Sequence, residues 1–329
     1  MKTISIVIPT FNSASTLRQC LESVFMQNYP RDNVEVIVVD GGSTDKTLDI
    51  AREFEVRILY NSLRTGEAGK SVGLMAAKGE LVAFIDSDNV IPNSNWLKMM
   101  VAPFEIEDDD VMGAEPFAFT YRTRDPLITR YVALFGVCDP LQLYVGNRDR
   151  WNWVKQNWTD DNSHEVIDKG SYYLLKLRKG VMIPCIGANG FVGRREILFK
   201  ANCKPYYFDI DVVYELVQMG FNGVAMVKTD IVHLHANSVT TFIRKAYRRI
   251  RDYRYFKKYR KYPWRANMKG VAMFTLFTVT VLPIIQEVIR GYKKKPDKAW
   301  LVHPLACLLV LSTYALAYFI NKNGSFDVC

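Results

Sequence analysis

Nine residues, Leu81-Val82-Ala83-Phe84-Ile85-Asp86-Ser87-Asp88-Asn89, restrict the possible fold more than any other stretch of this chain. An apolar run of strand length stops abruptly at two carboxylates separated by one residue. Strands buried on both faces of a parallel sheet read as continuous apolar runs, and open α/β sheets take their ligands beyond the carboxyl ends of such strands. An Asp-x-Asp at that position offers hard oxygen ligands to a divalent cation, which commonly completes its shell with phosphate oxygens. The plainer alternative is a strand followed by an Asp-rich turn, since Asp and Asn favour turns.

The residues before this run favour the first reading. Apolar segments at Ile4–Pro9, Val34–Asp40 and Val56–Tyr60 precede Leu81–Asp86, and helical patterns separate them. Leu17, Cys20, Leu21, Val24 and Phe25 form the stripe of an amphipathic helix, with Asn12 or Ser13 as its cap. A second helix, capped by Ser43, carries Thr47, Ile50, Ala51 and Phe54. A short third one runs through Val72, Met75 and Ala76. Alternation of this kind predicts an α/β fold, a doubly wound and mostly parallel sheet with right-handed crossovers. From about residue 107 to 180 the pattern loosens into an aromatic-rich, irregular insertion. Strands are expected again within Ile183–Arg195 and Val224–His235, with a helix from Val212 to Met219 ended by Gly220.

Two nucleotide-binding classes are excluded by spacing. The turn after the first strand is Pro9-Thr10-Phe11-Asn12, without the GxGxxG of a dinucleotide-binding domain. Gly66-Glu67-Ala68-Gly69-Lys70-Ser71 ends like a phosphate-binding P-loop, but Arg64 stands where that loop requires its first glycine. The six cysteines have no CxxC or metal-ligand spacing, as expected of reduced thiols in a cytosol-facing protein. With a strand expected from Ile4, no cleavable leader is expected.

After His235 the composition changes. Phe242, Ala246, Ile250, Tyr253 and Phe256 share one helical face, while Arg244, Lys245, Arg248, Arg249 and Arg251 lie elsewhere on the same helix. Such a helix suits an anionic membrane surface; packing on the domain, or a nucleic-acid arm, would be the alternatives. The uncharged runs Val271–Gln286 and Trp300–Ile320 decide for a membrane, with no nucleic-acid partner. The division expected is therefore residues 1–238 as the α/β domain, 239–266 as basic interfacial helices, and 267–329 as a membrane hairpin of two transmembrane helices, at about 268–288 and 300–320. The larger basic cluster places the soluble domain on the cytoplasmic side. Lys293, Lys294, Lys295 and Lys298 in the connecting loop pull the other way, and a hairpin that enters without crossing is the alternative.

Ser5-Ile6-Val7-Ile8-Pro9-Thr10-Phe11-Asn12, then Val36 to Asp45, then Asp86-Ser87-Asp88 closely resemble the family 2 glycosyltransferases, which have the GT-A fold. The resemblance covers roughly residues 3–240. It implies that Asp40 contacts the nucleotide base and Asp86 the ribose, within a nucleotide-sugar site that also takes in Pro9, Thr10, Lys70 and Ser87. It implies Asp88 as ligand of Mg²⁺ or Mn²⁺, together with Asp86 and a late histidine that His233 matches. Phe208-Asp209-Ile210-Asp211 resembles the family's Glu-Asp-x-Asp, with Phe208 in place of Glu; Asp209 then falls at the catalytic base, with Asp211 beside it at the helix start. Gly187-Ala188-Asn189-Gly190-Phe191 resembles the acceptor-side stretch, with Asn189 as a hydrogen-bonding residue for the acceptor. Gly41, Lys70 and Ser71 depart from the family's usual Asp, Arg and Asn, so UDP is the favoured nucleotide without excluding GDP or dTDP.

The function expected is a metal-dependent, inverting transfer of sugar from a nucleotide-diphosphate sugar to a membrane-proximal acceptor, either a lipid-linked saccharide or a polyprenyl phosphate. The alternatives are a non-catalytic membrane scaffold with a relict sugar-nucleotide domain, or a polysaccharide synthase subunit. The Q-x-x-R-W motif common in processive synthases is absent.

Overall fold

A computed structural model describes residues 1–107, 111–146, 148–160, 162–263 and 267–320. In chain order the first elements are β1 (Ile4–Thr10), α1 (Leu17–Phe25), β2 (Val34–Asp40), α2 (Thr47–Arg52), β3 (Arg57–Tyr60), α3 (Gly66–Ala76), β4 (Leu81–Phe84), β5 (Asn89–Val90), α4 (Trp96–Ile106) and β6 (Gly113–Phe119). Next come α5 (Leu127–Phe135), α6 (Gln142–Val145), β7 (Glu165–Asp168), β8 (Tyr172–Lys176), β9 (Phe191–Arg194), α7 (Arg195–Leu198), α8 (Asp209–Met219) and β10 (Gly223–His233). Four helices follow: α9 (Val239–Phe256), α10 (Met268–Thr280), α11 (Leu282–Lys294) and α12 (Val302–Ile320).

The chain forms two compact units. One comprises Met1–Thr120 and Asp161–Leu234, the other Tyr121–Asp160 and His235–Cys329. The segment 121–160 thus belongs with the C-terminal helices, unlike the contiguous division at residue 238. Part of the expected irregular insertion is also regular, since β7 and β8 pair antiparallel and β8 continues onto β10.

The first unit is a mixed sheet in the order β3-β2-β1-β4-β9-β6-β10-β8-β7, with β5 paired to β10 off that path. β3, β2, β1 and β4 run parallel. β9 is antiparallel to both β4 and β6, and β6 is parallel to β10. All of β1 and β4 and most of β2 are buried, which explains their unbroken apolar character. The chain proceeds from β1 outward through β2 to β3, then returns to place β4 on the other side of β1. That reversal makes the β1/β4 boundary a topological switch point, where the carboxyl ends of the strands leave a crevice.

The early helix starts differ from expectation. α1 begins after Thr16, with Ser13 supplying a backbone carbonyl to the Leu17 N–H (2.9 Å). At the entry to α2 it is Asp45 Oδ1 that accepts the Thr47 N–H (2.9 Å), because the Ser43 side chain is bonded elsewhere. α3 is longer than expected: Thr65 caps it by accepting the Ala68 N–H (3.1 Å), and Lys70 and Ser71 already lie inside the helix. A Cβ on Gly69 would stand 2.9 Å from Pro9, and one on Gly73 would stand 2.2 Å from Val7, so these glycines let α3 lie directly on β1.

In the second unit the first apolar run is broken. α10 and α11 meet at Val281, whose φ is +60°, with a bend of 88° just before Pro283. Lys298–Ala317 is the one helical stretch among the described residues long and apolar enough to cross a membrane. Residues 321–329 of the expected hairpin lie outside the described residues.

Candidate active site

The switch point gathers the ends of three parallel strands. Thr10 at the end of β1 is in register with Asp40 at the end of β2, and Asp86 follows β4 by two residues. Asp40 is fully buried and both its oxygens are engaged. Oδ2 accepts the Gly42 and Ser43 N–H groups (2.8 and 2.9 Å), while Oδ1 accepts the Ser43 hydroxyl (2.5 Å) and the Thr10 hydroxyl (3.3 Å). Asp40 therefore shapes the turn, and contact with a nucleobase would have to displace one of these bonds. Phe11, half exposed, and the exposed Arg64 flank Gly41: the Phe11 side chain and the Arg64 Cα each lie 3.4 Å from where a Gly41 Cβ would stand. Pro9 packs under α3.

The Asp86–Asn89 turn is pinned from several sides. Asn89, fully buried, accepts the Asp86 N–H (3.1 Å) and donates to Asn189 Oδ1 (3.1 Å), joining the aspartate turn to the Gly187–Gly190 loop. Ser87 Oγ is 2.9 Å from Ser13 Oγ. β5 pairs with the end of β10, so His233 faces Asn89 in register and the Leu234 N–H donates to the Asp88 carbonyl (2.8 Å). His233 Nε2 is then 3.5 Å from Asp88 Oδ2. A nitrogen and an oxygen at that separation can share one cation, and a carboxylate with an imidazole suits Mg²⁺ or Mn²⁺. His235, within the stretch where a strand was expected, lies beyond the end of β10, with Nε2 3.3 Å from Arg249 Nη2.

Asp209 opens α8 and is gripped by Lys70. The Lys70 ammonium donates to Oδ1 (2.9 Å) and Oδ2 (3.1 Å), and lies 3.7 Å from Asp86 Oδ1. Burial pushes the Asp209 carboxyl up to about 6; Lys70 acts against this shift and Asp86 adds to it. Burial alone would depress Lys70, but Asp209 and Asp86 outweigh it and its pKa is raised. Lys70 is thus a buried cation shared by the two carboxylates, not an exposed helix residue. α3 already begins at Gly66, so the residues before Lys70 form a helical turn where a P-loop needs an open loop of amides around phosphate. Asp211 is buried in the same first turn of α8.

The acceptor-side loop touches Asp209. Gly187 has φ +118°, and a Cβ there would come within 2.9 Å of the Asp209 Cβ. Its N–H donates to Glu115 (2.7 Å), a fully buried carboxylate on β6. Asn189 takes a left-handed φ of +49°, and the Gly190 N–H donates to the Phe84 carbonyl (3.0 Å). Asp209, Asp86, Lys70, Asn89 and Asn189 therefore form one connected group. Glu115 carried no sequence signal, Ser43 was read only as a helix cap and Arg64 only as a break in the P-loop spacing, whereas Asn89 stood inside the aspartate run.

The sequence profile described as glycosyl transferase family 2 matches residues 5–199, more than half of the chain, and the chain belongs to that family. Glycosyltransferase AglE of Haloferax volcanii is 34% identical over 134 residues, 39% of this chain and 43% of that protein. A Methanococcus voltae enzyme, dolichyl N-acetyl-alpha-D-glucosaminyl phosphate 3-beta-D-2,3-diacetamido-2,3-dideoxy-beta-D-glucuronosyltransferase, is 34% identical over 112 residues, 32% of this chain and 35% of that protein. The matches therefore span less than half the length of these relatives. Among solved structures, mannosyltransferase PcManGT from Pyrobaculum calidifontis, in complex with GDP-Man and Mn²⁺, has a TM-score of 0.55 at 16% identity, covering 97% of this chain and 88% of that one. That likeness extends the shared fold beyond the profile match.

Proposed function

We propose that this chain transfers a sugar from a nucleotide-diphosphate sugar, with UDP the favoured nucleotide, to a hydroxyl acceptor, with inversion at the anomeric carbon. The observation carrying the reading is the Lys70–Asp209–Asp86 cluster at the switch point, beside the Asn189 loop. Asp209 meets the needs of a general base: its pKa is close to neutral and it adjoins a loop with polar reach toward an acceptor. As the acceptor oxygen bonds to the anomeric carbon, the bond from that carbon to the diphosphate oxygen breaks and the acceptor proton passes to Asp209. Lys70 would release or share Asp209 while remaining near the diphosphate, and Asn189 would orient the acceptor. Asp86, Asp88 and His233 would hold Mg²⁺ or Mn²⁺, whose charge offsets that of the departing diphosphate. Phe11 and Arg64 offer the nucleobase a flat face and a cation.

The C-terminal helices would attach the enzyme to an anionic membrane surface with its soluble unit on the cytoplasmic side. A site on the same chain favours an acceptor held in that membrane, such as a lipid-linked saccharide. The Methanococcus enzyme, whose name records a dolichyl-phosphate-linked acceptor, supports this choice. Asp209→Asn is the test: loss of transfer by about 10²–10⁴-fold with nucleotide affinity retained is expected of a base. Unchanged turnover would instead indicate an acceptor already ionised, such as a polyprenyl phosphate.

A further inference from the structure

α12 has the length and apolarity of a membrane crossing, but the polar body of its own unit holds it along one side from end to end. Trp300, just before α12, is fully buried; its ring lies 4.9 Å from Phe135 of α5 and its N–H donates to the Lys295 carbonyl (2.7 Å). His303 bonds the Tyr131 hydroxyl (3.0 Å) and Glu287 (2.9 Å). Near the other end the Tyr314 hydroxyl donates to Asp139, which also pairs with Arg249 of α9 (3.3 Å). Arg254 of α9 donates to the Ala317 carbonyl (3.1 Å). These contacts run over about 26 Å of helix at 1.5 Å per residue. A helix crossing the hydrocarbon would carry α5 and α9 in with it. Arg244 and Arg248 stand exposed on α9, and charged groups facing lipid are strongly disfavoured.

The opposite side of α12 is mainly apolar and exposed: Leu305, Leu308 and Leu316, with Leu301 just before the helix and Ser312 among them, fall on one face. α10 and α11 repeat the pattern with exposed Leu276 and Val279, then Ile285 and Ile289. At 13 residues each these helices are about 20 Å long, short of the roughly 30 Å hydrocarbon core. The exposed cations Lys269, Arg290 and Lys293 accompany them. Apolar stripes edged by basic side chains match a lipid surface with anionic headgroups.

We infer that the C-terminal helices are seated in a single leaflet of an anionic phospholipid membrane, and that no part of residues 268–317 crosses it. The exposed leucines and isoleucines lie among the upper acyl chains, with Lys269, Arg290 and Lys293 at the level of the phosphates. This removes the topological conflict in the sequence, because the lysines at 293–298 stay on the same side as the basic helix α9. The inference rests on the membrane attachment proposed above and is independent of the transfer reaction.

The test uses the full chain carrying Lys46→Cys and Lys293→Cys, both at exposed positions, together with the natural Cys329. It is reconstituted into sealed vesicles of phosphatidylcholine with one-third phosphatidylglycerol. An impermeant maleimide is applied first, and a maleimide of different mass follows after permeabilisation. Intact mass, referred to a Cys329→Ser chain without the two introduced cysteines, shows which label each molecule took at these three positions. Single-leaflet seating predicts that all three positions of any one molecule carry the same label. Molecules with mixed labels would establish a crossing and overturn the inference. Failure to float with the vesicles would overturn the attachment itself, leaving the reaction to be judged by the Asp209 variant.

Discussion

At Asp209, burial and the Lys70 ammonium act in opposite directions, and burial prevails. A general base must be ionised, so kcat/KM is expected to climb as pH rises through about 6 and then level off. A cation bound at Asp86 and Asp88 would move that inflection downward. An acid limb that persists unchanged in the residual activity of Asp209→Asn would argue against Asp209 as the titrating base. The sign for stability is the reverse of that for activity. The folded chain holds this proton more tightly than the unfolded one, whose carboxyl titrates near 3.9, so the contribution of Asp209 to stability falls between about pH 4 and 6. Asp86 and Asp88 stood out in the sequence because they end an apolar run of strand length, and Asp209 only through the resemblance of Phe208-Asp209-Ile210-Asp211 to the family's Glu-Asp-x-Asp. Asn89 and Glu115 gave no separate signal. Their work depends on partners 100 and 72 residues away, which only the sheet topology brings close.

At the scale of the element, α3 decides where Lys70 can reach. Glycine is a poor helix former, so Gly66, Gly69 and Gly73 hid the first two turns of this helix from its sequence pattern. The structure supplies the reason for two of them, since Gly69 and Gly73 face Pro9 and Val7 with no room for a methyl group. Gly73→Ala should therefore overpack the contact with β1 and cost about 1–3 kcal/mol, even though alanine favours helix, as read by chemical denaturation. It should also weaken transfer more than the stability loss alone explains, by displacing the Lys70 ammonium. A variant as stable as the parent would mean that α3 is not tightly seated.

On the scale of the whole molecule, the parallel core was legible because its strands follow one another in the chain. The grouping of 121–160 with the C-terminal helices was not, because no local pattern ties segments a hundred residues apart. Nor did composition reveal the break at Val281, where a run apolar enough for one span becomes two short helices at 88°. The Trp300 ring fills the space beside Gly291, where a Cβ would stand 2.5 Å from it, and rests on Phe135. Trp300→Ala should cost about 3–5 kcal/mol in the unit containing it, measured as a lowered unfolding midpoint.

The central claim is that Asp86, Asp88 and the switch-point crevice bind a nucleoside diphosphate through a divalent cation. Thermal unfolding of the purified full chain with UDP, GDP or dTDP, each with Mn²⁺ or with EDTA, tests it directly. A ligand at a hundred times its dissociation constant adds about 2.7 kcal/mol to stability. The account predicts that one nucleotide, UDP first, raises the midpoint with Mn²⁺ and not with EDTA, and that Asp88→Asn abolishes the rise. A nucleotide shift unaffected by EDTA and by Asp88→Asn, or none from any nucleotide in folded protein, would contradict it.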